Sequence, residues 1–523
     1  MNASSERTVS IWAATAAMPA APPLAGDEQA QVVVVGAGIA GLSVAYELAR
    51  EGRSVIVLDR GPLGGGMTAR TTAHLTSQID DYYRELIRVR GLEEARLYHR
   101  SHAAAIDRIE EICRAEAIEC DFRRVDGYLF PAEGTEPDLL QREIEAAHQA
   151  GFEAVEWAEQ VPIPGIDNGR CLRFPGQGRF HPLRYLAGLV RAIEARGGRL
   201  FADSRVTGVT EQDGAVLVET AAGATVRAEA AIVATNAPIN DRLAIHTKQA
   251  PYRTYVIAGR VPWGTVADAL FWDTLEDYHY VRVQPAEDGP HDFLIVGGED
   301  HKTGHANDAE ERFARLEEWA RQHFPQMQAV EFRWSGQVME PVDHVAFIGR
   351  NPGNQNVFVA TGDSGEGITH GVVAGMLLRD LVLGRANEWE TLYDPTRVPW
   401  SGVGEFLREN LDVAAQLTDH LTGGEIGSLD ELQPGQGAVV RRGLGKLAAY
   451  RDGSGQLHLR SAVCTHAGCV VRWNALEACW DCPCHGSHFA VDGTPLNGPA
   501  SQPLAPADED DQAEASLSRA GKG

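Results

Sequence analysis

Cys464 and His466 form a C-x-H pair, and Cys482 and His485 form a C-x-x-H pair a short way further on. One thiolate and one imidazole from each of two loops can meet around a small metal centre. Two thiolates on one iron and two neutral imidazoles on the other would make a [2Fe–2S] cluster with a potential above that of an all-Cys cluster. Zinc is the competing occupant. It would not need the Cys482-Pro-Cys484-His485-Gly-Ser487 run or a second Cys beside each pair. Those second cysteines, Cys469 and Cys484, occupy matching places and could form a disulfide between the loops.

A second chemical signal lies near the start. Gln31-Val-Val-Val-Val35 is a continuous apolar run suited to a buried parallel strand. Gly36-Ala-Gly38-Ile-Ala-Gly41 follows, then a helical pattern through Leu42, Ala45, Leu48 and Ala49, and a second strand ending in Asp59. A lone G-x-G-x-x-G is a weak signal. Between a strand and a helix, with an acid closing the βαβ unit, it reads as a dinucleotide cradle. Gly36 permits the turn, Gly38 admits the pyrophosphate, Gly41 lets helix pack on strand, and Asp59 accepts ribose hydroxyls. The helix N-terminus stabilises the phosphates.

The elements that position these residues are legible in outline. Residues 205–220 alternate as a strand pair about Asp213-Gly214. Ala230–Thr235 reads as another buried strand, and residues 250–300 are rich in aromatic residues and strand formers. Val357–Gly362 reads as a strand, followed by a Gly365-Glu-Gly367-Ile368-Thr369-His370-Gly371 turn and an apolar helix. Gly384, Asp394-Pro395 and Val398-Pro399 punctuate the end of that unit. Beyond it, short strands and turns replace helices. The expected divisions are an arm over 1–30, a first domain over 31–396, a linker helix over 397–424, an all-β domain over 425–507 and an acidic disordered tail over 508–523.

Bulk properties narrow the class. The 523 residues suffice for several cores, and the net charge of −26 argues against nucleic acid or an anionic membrane as partner. Five of the eight cysteines fall within residues 464–484, which is not a secreted disulfide framework. Cys113, Cys120 and Cys171 read as buried thiols, and Cys479 has no assigned role. No apolar run reaches the roughly 18 residues a spanning helix needs. The apolar stretch Val9–Ala17 lacks a basic flank, so an ordered arm and a cytoplasmic location are expected.

The chain resembles FAD-dependent oxidoreductases of the D-amino acid oxidase and glycine oxidase superfamily that carry a C-terminal Rieske [2Fe–2S] domain, over roughly residues 30–500. Gly64-Gly-Gly-Met-Thr68-Ala69-Arg70-Thr-Thr72-Ala-His74 is similar to the segment that runs past the flavin in that family, and residues 357–371 are similar to its closing flavin-binding element. The resemblance implies an α/β FAD-binding, Rossmann-like domain with an inserted antiparallel sheet forming the substrate pocket, followed by an all-β Rieske domain. It implies FAD contacts from Gly36, Gly38, Gly41, Asp59, Arg60, Thr68, Ala69, Arg70, Thr72, Val206, Gly365, Gly367, Ile368 and Thr369. His74, Tyr280, His344 and His370 are the catalytic candidates. Tyr252, Arg253 and Arg282 are further pocket candidates that could bind a carboxylate or shape an amine site. Arg70 stands where some relatives attach flavin through a His, so a non-covalent flavin is expected.

In the second domain the resemblance implies Cys464, His466, Cys482 and His485 as ligands and Cys469–Cys484 as the loop-clamping disulfide. Ser487 matches a residue that hydrogen-bonds a cluster sulfide. Phe489 stands where high-potential relatives carry a Tyr, so a moderated potential is expected. The expected function is a dehydrogenase of a C–N bond in an amine or amino acid, N-methylated or not, with electrons leaving FAD through the cluster to a one-electron acceptor protein or quinone. Reverse flow into the flavin and a redox-sensing module without turnover remain open. An oxygenase is disfavoured because no 2-His-1-carboxylate site is evident.

Overall fold

The computed structural model describes residues 6–163, 169–240, 245–275, 277–398, 416, 418–421, 423–443 and 445–507. The expected linker helix falls mostly, and the expected tail wholly, outside them.

The first layer is a parallel sheet. Glu28–Val35 pairs with Val55–Leu58 on one side and with Thr225–Val233 on the other, all parallel, and Val357–Thr361 and Arg199–Phe201 extend it. Val32 to Val35 are buried because helices and loops cover both faces. The hairpin Val206–Gln212 and Ala215–Thr220 turns at Asp213 and Gly214, both at positive φ, and joins the sheet beside Thr225–Val233.

Helix Ile39–Arg50 packs against helix Gly367–Val382. A Cβ on Gly371 would stand 2.7 Å from Ile39 Cγ2, and one on Gly375 would stand 2.9 Å from Ser43 Cβ. The two glycines thus admit a close crossing, and both helix N-termini open onto the same cavity.

The second layer is an antiparallel sheet around Gln249–Pro262, flanked by His291–Lys302 and Val330–Pro341. It continues through Tyr280–Pro285 and Leu270–Asp273 into Arg123–Phe130, by one parallel pairing, and then antiparallel into Cys171–Arg179. Sequence reading places this sheet within 250–300, but it also recruits strands from more than a hundred residues earlier. Local alternation carries no record of such distant pairing.

The C-terminal domain has two small antiparallel sheets. Gly437–Arg442, Gly445–Arg451 and Leu457–Ser461 form one. Arg472–Asn474, Cys479–Asp481, His488–Phe489 and Pro495–Asn497 form the other. One apolar cluster joins residues of both small sheets, and a second gathers Ala438, Val440, Leu447, Ala449 and Leu459 of the first.

The described part of the N-terminal arm packs on the first domain. Ser10 caps helix Ile11–Thr15, Ser10 Oγ donates to Ala69 O at 2.5 Å, and Trp12 Nε1 donates to Thr71 O at 2.6 Å. Ile11 and Trp12 are buried. Among the described residues no helix is long and apolar enough to cross a membrane.

Candidate active site and metal centre

A cavity of about 1220 Å³ runs between the two large sheets. At one end strand Glu28–Val35 delivers the glycine turn. Gly36 adopts φ +107°, and a Cβ there would stand 2.2 Å from Ala234 O. A Cβ on Gly41 would stand 1.9 Å from Gly36 O, so neither position admits a side chain. Gly38 is the N-cap of helix Ile39–Arg50 and offers no side-chain cap; Thr68 Oγ1 takes the Ile39 N–H, and the first turn, through Ile39 and Ala40, faces the cavity. Asp59 accepts from Ala37 N at 2.7 Å and Gly61 N at 3.0 Å, and burial pushes its carboxyl up. Arg60 lines the same end, and its buried Nη1 has no hydrogen-bond partner among the described residues. A helix N-terminus with an unmatched guanidinium fits the pyrophosphate of a dinucleotide.

The walls carry most of the sequence candidates. Gly36, Gly38, Asp59, Arg60, Thr68, Arg70, Thr72, Val206, Gly365, Gly367 and Ile368 line the cavity, as do His74, Tyr252, Tyr280, His344 and His370. Gly41, Ala69 and Thr369 lie behind the lining. Thr68 Oγ1 accepts from Ile39 N at 3.0 Å, and Thr369 Oγ1 donates to Glu366 O at 3.0 Å. Two pocket candidates lie elsewhere. Arg282 donates to Ala73 O and Phe180 O beneath the wall, and Arg253 points to the other domain.

The histidines differ in state. His74 has both nitrogens engaged, by Thr72 Oγ1 at 3.0 Å and Val281 O at 3.3 Å. Burial, then the charge of Arg282, lowers its pKa to about 3, so it is a neutral wall residue beside Trp272 and Tyr280. His370 is also held neutral, by burial and then by His102. Its Nδ1 lies 3.0 Å from Asp363 O, a carbonyl that can only accept, so Nε2 carries the lone pair. His344 behaves oppositely. Burial alone would lower its pKa, but Asp81 at 2.9 Å raises it.

The metal centre is built from two loops. Cys464 N donates to Cys469 O at 2.9 Å, and Cys482 N donates to Ser487 O at 2.8 Å. Cys469 and Cys484 are joined by a disulfide, with Cα atoms 6.5 Å apart. This removes two sulfurs from ligation and leaves Cys464 and Cys482 as free, buried thiols. A hydrogen bond from Cys482, ahead of the opposing burial, draws the Cys464 thiol down to about 7, so the two sulfurs already face each other. The His466 and His485 rings lie 4.8 Å apart at 89°. His485 Nδ1 is buried without a hydrogen-bond partner among the described residues, as a nitrogen reserved for metal would be. Two thiols and two imidazoles therefore converge, which fits a [2Fe–2S] cluster.

Phe489 is fully buried next to this centre and has no hydroxyl to donate. Phe489→Tyr is expected to raise the cluster midpoint by about 65–130 mV, the worth of one hydrogen bond to a charged group for a one-electron couple. Redox titration followed by electron paramagnetic resonance measures it. At the other end, Gly36→Ala is expected to empty the cradle of FAD and destabilise the fold by about 1–3 kcal/mol. The flavin-to-protein absorbance ratio and the urea midpoint check both effects.

The two domains share a dry, charged interface. Arg70 Nε pairs with Glu6 at 2.7 Å, and Arg70 Nη2 pairs with Glu477 at 3.0 Å. His488 Nδ1 meets Glu6 at 2.9 Å, and Arg253 pairs with Asp481 at 3.0 Å. Every one of these side chains is nearly inaccessible. The arm, the flavin-side sheet and the second domain thus meet in one buried network. Gln337 lines the cavity, donates from Nε2 to Gly486 O at 3.0 Å, and holds His488 Nε2 at 2.7 Å. His246, from the first domain, stands edge-on to His466 at 4.8 Å and to His485 at 5.8 Å. Pro495, Asn497, Gly498, Ala500 and Ser501 of the second domain complete the cavity wall. Sequence reading misses Glu6, Gln337 and His246. The only prior cue is that Glu6 and Arg70 are charges inside otherwise apolar or small-residue stretches.

Over residues 31–381 the chain matches the family described as FAD dependent oxidoreductase, and over residues 424–508 the Rieske [2Fe–2S] domain. It is 31% identical over 512 residues to YhfW of Bacillus subtilis, named as a Rieske 2Fe–2S iron–sulfur protein, spanning 97% of this chain and 98% of that one. It is 28% identical over 392 residues to gamma-glutamylputrescine oxidoreductase of Escherichia coli, spanning 72% of this chain and 89% of that one. Glycine oxidase of Geobacillus kaustophilus shares the fold with TM-score 0.58 at 19% identity, covering 71% of this chain and 99% of its own.

Proposed function

The chain belongs to the FAD-dependent oxidoreductase family, binding FAD in its first domain and a [2Fe–2S] cluster in its Rieske domain, and from that premise we propose a dehydrogenase that releases electrons singly. Its substrate is an amine or amino acid oxidised at a C–N bond, and its outlet is the cluster and then a one-electron acceptor. The observation that carries this reading is Gln337, whose side chain lines the cavity and also binds the second cluster loop. A cluster serving an unrelated purpose would need no shared wall with the flavin.

Bound FAD supplies a two-electron acceptor and the bound cluster a one-electron carrier. The amine loses two electrons and two protons to become an imine, and water converts the imine to a carbonyl compound and ammonia or a smaller amine. Two equivalents of one-electron acceptor balance each turnover. FAD contacts are assigned to the lining residues from Gly36 to Ile368 named above. His370 Nε2 is assigned to the amine N–H, because a lone pair there favours the neutral amine from which hydride can leave. Tyr280, tied to Thr254 Oγ1 at 2.5 Å, and His74 shape the wall. His344, paired with Asp81, holds the far end.

Anaerobic rapid mixing of the holoenzyme with a panel of amines and amino acids tests this reading. Flavin bleaching followed by cluster reduction is the expected order. If no compound bleaches the flavin while a reduced one-electron donor reduces first the cluster and then the flavin, current runs the other way and the proposal fails.

A further inference from the structure

The cavity wall beyond Gly365 is crowded with carboxylates that nothing above employs. Asp80 Oδ2 lies 2.1 Å from where a Gly365 Cβ would stand, and its neighbour Glu366 Oε1 accepts from Asp80 N at 3.3 Å. Glu340 Oε2 accepts from Ser364 Oγ at 3.0 Å. Asp300 lies on the same cavity, and its buried Oδ1 has no hydrogen-bond partner among the described residues. Burial first, and neighbouring carboxylates after it, push Asp80 and Glu340 well above the usual carboxylate range. Two basic side chains also stand on this wall. His344 is taken by Asp81 at 2.9 Å, and the Arg84 guanidinium lies over the Tyr82 ring at 5.3 Å.

A second observation concerns hydrogen bonding and not charge. Gln78 is 2% exposed and lines the cavity; its Nε2 donates to Ile79 O, while its Oε1 has no partner among the described residues. A buried amide oxygen without a donor is costly unless a ligand supplies one. Acceptors and carboxylates together describe a partner rich in N–H and positively charged. The reacting nitrogen cannot be that partner, because hydride loss requires it neutral.

We propose that the wall formed by Gln78, Asp80 and Glu340 binds an ammonium group, so that the substrate is an amine with a second, non-reacting ammonium and no carboxylate at that end. This rests on the dehydrogenase reading and narrows its substrate class. The distal ammonium meets the carboxylates and the Gln78 oxygen, and the Tyr278 ring, whose hydroxyl is 2.6 Å from Asp80 Oδ2, adds an aromatic face. The other nitrogen, neutral, is left for oxidation.

The test compares α,ω-diaminoalkanes with the monoamines and the ω-amino acids of equal chain length, using the anaerobic holoenzyme and flavin bleaching as readout. The best diamine is expected to half-saturate at a concentration about 10-fold below its monoamine and about 100-fold below its amino acid. In Glu340→Gln the diamine value is expected to rise about 10-fold at unchanged FAD content, with the shift of the flavin band on diamine binding as a turnover-free check. If a monoamine or amino acid bleaches the flavin as well as the diamine, or if Glu340→Gln binds the diamine normally, the ammonium site is overturned and the dehydrogenase stands. If nothing bleaches the flavin, the dehydrogenase reading falls and the substrate class falls with it.

Discussion

Cys482→Ser is expected to yield a protein that keeps its FAD, is still bleached by substrate, and loses at least about 100-fold of its substrate-dependent reduction of a one-electron acceptor. The cluster needs a deprotonated ligand at this position. A metal-bound thiol gives up its proton, whereas a serine hydroxyl does so far less readily. Cys482 is 1% exposed at the base of the second loop, so no solvent ligand can take its place. Gly36, Asp59, Arg60 and Val206, the proposed FAD contacts, line the cavity, and residues 482–487 do not. Visible and paramagnetic spectra report the cluster, absorbance of released flavin reports FAD, and dye reduction reports the outlet. A cluster-free, flavin-loaded variant with full acceptor reduction would remove the cluster from the path.

The second large effect is mechanical. Arg70→Ala is expected to destabilise the protein by about 3–5 kcal/mol, because it strands Glu6 and Glu477 as buried carboxylates without their cation. Glu6 is held well below the usual carboxylate range. Burial opposes this, but Arg70 and then His488 and Arg253 outweigh it. Arg70→Lys should recover only part of the loss. Arg70 meets Glu6 from Nε, Thr8 and Ser335 O from Nη1, and Glu477 from Nη2, a fork that an ammonium cannot reproduce. Urea midpoints give the stability, and protease cleavage in the arm reports its release. A loss below about 1 kcal/mol would mean the network is not cooperative.

Arg70 also marks where sequence reading stops. Its position on the cavity wall is legible, because Gly64 to His74 follows the dinucleotide turn in a recognisable order. The direction of its guanidinium is not. That depends on Glu6, at the far end of the arm, and on Glu477, more than four hundred residues away. The same holds for Asp80, Glu340 and Asp300, which as isolated acids read like solvated surface until the fold gathers them on one wall. Patterns confined to a single turn or loop survived best. Gly36 and Gly41 are glycines because Ala234 O and Gly36 O occupy their Cβ positions, and the two Cys/His pairs sit on loops short enough to be read whole. The long-range sheet pairings of Arg123–Phe130 and Cys171–Arg179 left no such local trace.

The central claim is that flavin and cluster form one internal electron path across the Gln337 wall. Photoreduction of the flavin in the anaerobic holoenzyme, without substrate or acceptor, tests it directly, with the cluster followed by electron paramagnetic resonance. The cluster is predicted to become reduced at a rate independent of protein concentration. A cluster that stays oxidised beside a fully reduced flavin, or one reduced at a rate proportional to protein concentration, would contradict the account.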